Sequence, residues 1–156
     1  FNESADYVEY TDDIFVGYRY FETIPGAAQK VNYPFGFGLS YTSFQIVCTD
    51  SVQTAGEINV SVRVTNIGNY SGKEVVQLYI GDDKSSVVRP LKELKHSQKI
   101  ALNPGEEQTV TFIVSADDLK YYDEASKDWK AEAGKFKAYI GSSSADIRTV
   151  VPFVLE

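Results

Sequence analysis

The sequence predicts an all-β fold, an antiparallel sandwich of two sheets, and three observations carry that expectation. From Phe44 onward, apolar and polar residues alternate with period two in one segment after another. Turn signals rich in Gly, Pro and Asn separate these segments. The chain holds 11 Tyr and 9 Phe, and aromatic and β-branched residues favour strands.

The strands follow in order. Phe44 to Thr49 opens the series. Glu57 to Thr65 reads E-I-N-V-S-V-R-V-T, so Ile58, Val60, Val62 and Val64 share one face. A turn over Asn66 to Gly72 leads to Val75 to Ile80, which closes at Gly81-Asp82-Asp83. Leu91 to Leu102 carries the next strand and ends at Asn103-Pro104-Gly105. Thr109 to Val114 turns Val110, Phe112 and Val114 inward. Lys135 to Ile140 does the same with Phe136, Ala138 and Ile140, and Ile147 to Leu155 closes the chain. The expected core is Val60, Val62, Val64, Leu78, Ile80, Phe112, Phe136 and Ile140. Only Asp117 to Glu124 is expected to hold a helical turn. Seven strands over 44–156 fit an immunoglobulin or fibronectin type III-like sandwich.

The first 43 residues differ. They lack a regular repeat, yet Tyr7 to Tyr41 holds ten of the 21 aromatic residues. Such a segment cannot bury itself alone and is expected to be the edge of a preceding domain. Pro34 to Ser40 is a loop in which Gly36 and Gly38 permit a tight backbone path. With 156 residues, no Met and an opening Phe1, the chain is expected to be a fragment of a longer protein. An isolated (β/α)₈ barrel needs about 250 residues and is excluded by length.

Charge narrows the partners. Lys plus Arg is 15 and Asp plus Glu is 22, a net charge of −7 that repels nucleic acid and anionic membrane. No apolar run is long enough for a membrane helix, and no secretory signal pattern stands at the start. Neither nucleic acid nor a membrane is therefore expected as a partner.

Chemistry-bearing residues are sparse. His96, the only histidine, falls in a predicted strand among Lys92, Lys95 and Lys99, and reads as a solvated strand histidine rather than a triad member. The adjacent carboxylates Asp12-Asp13, Asp82-Asp83 and Asp117-Asp118 should point apart or serve turns. Gly36-Phe37-Gly38 lacks the βαβ context of a dinucleotide loop and reads as a structural turn. Tyr121, Tyr122 and Trp129 have two readings: an aromatic platform for a sugar ring, or, favoured, a Trp129 that caps one end of the sandwich with the tyrosines lining it. The single Cys48 cannot form an internal disulfide and is expected as a small core residue. No catalytic, cofactor-binding or metal-ligating residue is assigned, and no cofactor is expected.

A resemblance adds to this. Asp13 to Phe21 reads D-I-F-V-G-Y-R-Y-F, and Pro34 to Thr42 reads P-F-G-F-G-L-S-Y-T. Both resemble segments near the end of the second catalytic domain of glycoside hydrolase family 3. Val62 to Asn66, Glu74 to Ile80, Arg89 to Lys95, Leu102 to Glu106 and Gly141 to Arg148 resemble, in the same order, its fibronectin type III-like domain. His96-Ser97 and Asp12-Asp13 depart from the usual pattern. The resemblance implies residues 1–43 as the tail of an α/β-sandwich catalytic domain plus linker, and 44–156 as the fibronectin type III-like domain. It implies a parent hydrolase, a retaining β-glucosidase or β-xylosidase type working with two carboxylates on terminal non-reducing β-D-glycosyl residues. By that resemblance the nucleophile lies in a barrel domain and the acid/base upstream in the α/β domain. No position here matches either motif, and none places Glu9 or Glu22 as the acid. The implied partners are those two domains and the parent's oligosaccharide or aryl or alkyl β-glycoside substrate. The alternative is an independent carbohydrate-binding module or cell-surface adhesion domain.

Overall fold

The structure, a computed structural model, describes residues 2–156; Phe1, the first residue of the expected tail, lies outside the described residues. Seven strands form a two-sheet sandwich. They are β3 (Phe44–Thr54), β4 (Glu57–Asn66), β5 (Gly72–Asp82), β6 (Glu93–Leu102), β7 (Glu107–Ser115), β10 (Gly134–Gly141) and β11 (Ile147–Leu155). One sheet has the order β11-β10-β5-β6 and the other β3-β4-β7, with every pairing antiparallel. Before them come two short strands, β1 (Asn2–Glu3) and β2 (Val8–Glu9), and a helix α1 (Tyr18–Thr23). Between β7 and β10 lies a hairpin of β8 (Tyr121–Asp123) and β9 (Asp128–Lys130).

The alternation in β4 explains its place. Ile58, Val60, Val62 and Val64 are all buried, while Arg63 between them stays exposed. The inward side chains of both sheets form one core cluster, and all eight expected core residues are buried. Phe136 and Phe153 stack across the β10–β11 pair with centroids 5.6 Å apart. At one seam between the sheets, the Gln53 side chain completes a ladder that no strand supplies. Its Nε2 donates to the Val154 carbonyl, and its Oε1 accepts from the Val154 N–H at 3.2 Å.

Strand β5 breaks the alternation. Val76, Gln77, Leu78, Tyr79, Ile80 and Gly81 are buried in succession. A strand buried on both faces has cover on both. Val76, Leu78 and Ile80 face the sandwich core. Residues 17–43 supply the outer cover as a strap laid over the four-stranded sheet.

Three expectations are corrected. The turn expected within Asp117 to Glu124 is a 3₁₀ turn over Ala116–Leu119 followed by strand at Tyr121–Asp123, and it is not the only helical piece, since α1 is one as well. Trp129 does not cap the sandwich, because it sits on the β8–β9 hairpin with 60% of its surface exposed. The first strand runs past Thr49 to Thr54, carried on by a bulge between Cys48 and Asp50.

Candidate functional site

The strap meets the sheet through polar anchors and two rings. Gly17, at φ 60°, turns the chain into α1. Tyr18 Oη then accepts the Leu94 N–H at 2.7 Å, and Thr23 Oγ1 accepts the Leu91 N–H at 2.8 Å. Between them, one turn along, the Lys92 ammonium donates to Glu22 Oε2. Lys92 is buried, and its ammonium lies 5.7 Å from the centre of the Tyr79 ring. Glu22 Oε1 is buried without a hydrogen bond. The Tyr18 ring stacks on Phe35 at 4.8 Å and meets Tyr79 edge-on at 5.8 Å. Tyr79 Oη donates to Gln77 Oε1, and burial pushes its phenol pKa up.

Further along, the Phe35 carbonyl accepts the Ser144 N–H at 2.9 Å. Gly36 has φ 81°, and a Cβ there would collide with the Gln77 amide. The backbone at Gly36 thus comes close to the sandwich itself. Gly38 differs: nothing lies within 4 Å of where its Cβ would stand. The strap ends at Asn66, whose side chain is fully buried and fully used. Its Oδ1 accepts from Thr42 Oγ1 at 2.6 Å and the Gly68 N–H at 3.1 Å, and its Nδ2 donates to the carbonyls of Tyr70 and Leu102 at 2.8 and 3.0 Å.

Beside the strap lies an open groove of about 610 Å³. Phe37 and Leu39 form part of one wall, and Lys73, Glu74, Lys99 and Asp146 part of the other. Burial raises the Glu74 pKa, and its Oε1 accepts the Val75 N–H at 2.8 Å. An ion pair with Arg148 holds Asp146 below its usual range. Leu39 and Tyr41 project outward, 92% and 96% exposed.

The residues singled out in the sequence do not converge. His96 is not freely solvated as expected. It is half-buried at the β6 bulge, with Nε2 3.4 Å from Asp118 Oδ1 and its ring over Phe112. Two of the carboxylate pairs do point apart, and Asp12-Asp13 lies in a turn. Asp82 faces Arg89 at 3.6 Å, while Asp83 faces Lys137 at 2.6 Å. Asp117 pairs with Lys120, whereas Asp118 caps the 3₁₀ turn through Ser115. Glu9 is exposed on β2, and Glu22 is paired as described. Cys48 is half-buried against the core, and burial raises its thiol pKa. Tyr122 and Trp129 meet edge-on at 5.8 Å, both exposed, while Tyr121 turns to Glu132 and Ser86.

Inspection of residue types missed the Lys92–Glu22 pair and the covered face of β5. One signal for the latter was present: Val75 to Ile80 is apolar on both faces apart from Gln77, unlike Glu57 to Thr65. No local pattern announces the lysine's partner 70 residues away.

Residues 74–144 match the family model described as a fibronectin type III-like domain. β-Glucosidase BoGH3A of Bacteroides ovatus is 47% identical over 151 residues, covering 93% of this chain and 20% of that protein. Thermostable β-glucosidase B of Acetivibrio thermocellus is 50% identical over 146 residues, 91% of this chain and 19% of that protein. The crystal structure of the Kluyveromyces marxianus β-glucosidase in complex with glucose superposes with TM-score 0.88 at 44% identity, covering 94% of this chain and 18% of that one. The chain thus spans about a fifth of the length of these relatives.

Proposed function

We propose a function from the premise that this chain is the C-terminal part of a β-glucosidase-like protein of glycoside hydrolase family 3, with its fibronectin type III-like domain. It serves as the non-catalytic module of a retaining β-glycosidase that removes terminal non-reducing β-D-glycosyl residues, and it stabilises the catalytic domains. Residues 1–43 carry the tail of the preceding α/β domain and the linker, and 44–156 are the module.

One observation carries this reading. Half of the exposed large apolar side chains among the described residues lie between Tyr7 and Tyr41, on a segment fastened to the sheet from Tyr18 onward. Covering such surface yields roughly 2.5 kcal/mol per 100 Å² before entropic and desolvation costs. Asp82, Glu93 and Glu22 are paired with bases, whereas a catalytic acid needs a raised pKa beside its substrate. Glu74, whose pKa burial raises, has its Oε1 engaged by the Val75 N–H.

The test compares the full-length protein with a version lacking 44–156. A lower melting temperature with unchanged turnover per folded molecule is expected. Equal melting with lost turnover, or weakened affinity for long substrates alone, would replace the brace with a substrate contact near Asp82 to Arg89. A second reading, sugar binding at the exposed Tyr122–Trp129 pair, is favoured by that exposure alone. Trp129 is the only tryptophan, so its fluorescence reports directly on glucoside titration, and an unchanged spectrum removes this reading.

A further inference from the structure

The strap carries two sets of side chains with opposite fates. Tyr18, Glu22 and Thr23 are committed to the sheet. Tyr33, Phe37, Leu39 and Tyr41 are exposed. Slack does not explain Leu39 and Tyr41 standing in water. The segment is pinned at Phe35 by the Ser144 N–H and at Thr42 by Asn66, on either side of both residues. Folding therefore fixes them in the exposed position, and the apolar area lost to water there is recovered only through a further partner. Phe37 packs on Tyr33, with ring centroids 5.0 Å apart, and together with Leu39 lines the groove opposite Lys73, Glu74, Lys99 and Asp146.

We infer that this groove, with Leu39 and Tyr41 at its side, seats a segment of the same polypeptide lying outside these 156 residues, one that brings apolar side chains to Phe37, Leu39 and Tyr41 and hydrogen-bonding groups to Lys73 and Lys99. The inference rests on the brace reading and names where the brace engages: through the strap, with the sandwich as the body that holds it rigid. Three observations select this occupant. The chain spans about a fifth of its relatives' length, so most of such a protein lies outside it. A net charge of −7 opposes a second copy of this chain. Leu39, a branched aliphatic residue, offers no flat face to a sugar ring, whereas the exposed aromatic pair Tyr122–Trp129 belongs to a separate hairpin.

The test is a double variant, Leu39→Ser with Tyr41→Ser, in the full-length protein and in the 156-residue chain. The full-length protein should melt about 3 °C or more lower, with unchanged turnover per folded molecule. The 156-residue chain should melt as before, because neither side chain is buried in it. Amides of residues 37–41 should exchange more slowly in the full-length protein than in the 156-residue chain. Tyr122→Ser with Trp129→Ser serves as the control and should leave full-length melting unchanged. If deleting 44–156 destabilises the full-length protein but the Leu39/Tyr41 variant does not, the groove assignment falls and the brace reading stands. If the deletion has no effect, the brace reading itself falls. If the 156-residue chain sediments as a dimer that the variant dissociates, the occupant is a second copy and the inference is overturned.

Discussion

The sandwich and the strap are held together in different ways. Within the sandwich, Val60, Val62, Val64 and Leu78 lose all contact with water, and their order comes from many interchangeable apolar contacts. The strap has no core of its own. It is ordered by a few specific links: Tyr18 to Leu94, Glu22 to Lys92, Phe35 to Ser144 and Thr42 to Asn66. A region of the first kind tolerates small losses anywhere. A region of the second kind should fail at single residues, and that difference can be tested.

The largest effect is expected at Asn66, where strap and sandwich meet. Asn66→Ala leaves four hydrogen-bond partners unsatisfied near a buried site. A loss of about 4 kcal/mol is expected from the usual cost of such orphaned groups, measured by urea unfolding of the 156-residue chain. A loss below that of a simple core truncation would show that water replaces the network and that the junction is loose.

Next comes the ion pair. Glu22→Ala leaves the Lys92 ammonium buried with its carboxylate gone. The expected cost is about 3 kcal/mol, whereas Glu22→Leu with Lys92→Met should be near neutral. If both variants cost the same, the pair stabilises through packing and the contrast with the sandwich weakens.

The core itself responds more mildly. Val62→Ala removes two methyl groups from a fully buried position and should cost about 1–3 kcal/mol. The same unfolding curve measures it. A larger loss would mean that the core relaxes as little as the strap's links do.

The smallest effect is a pH dependence beside the strap's edge. Burial alone would raise the Glu93 pKa, but Lys95 and Arg89 outweigh it, and the carboxyl lies below its usual range. A folded pKa below the unfolded one stabilises the protein above the unfolded pKa. That stability is lost as pH falls through the folded value. Unfolding measured from neutral pH down through the carboxylate range should show a decline that Glu93→Gln makes shallower. An identical pH profile in the variant would place the acid sensitivity elsewhere, with Asp146 the next candidate.

Much of this molecule was legible from residue pattern, and the limits have physical causes. Period-two alternation is local, so the seven sandwich strands and their inward residues could be named before any contact was known. The β8–β9 hairpin was missed because its strands are only three residues each, too short to show a period. Within the candidate site, Gly36 and the Pro34 to Thr42 loop stood out through glycine spacing. Lys92 was counted only as one of several lysines around His96.

By itself, the sequence determined the all-β architecture, the core faces and the family resemblance, because each depends on the order of neighbouring residues along the chain. Only the tertiary structure decided which face of β5 is covered, that Trp129 stands in water, and that Lys92 is paired rather than solvated. Those outcomes depend on which distant segment arrives. A strap crossing the four-stranded sheet turns Tyr79, Gln77 and Lys92 from surface residues into buried ones. It does so through contacts spanning up to 109 residues, as from Phe35 to Ser144, and no short-range pattern encodes them.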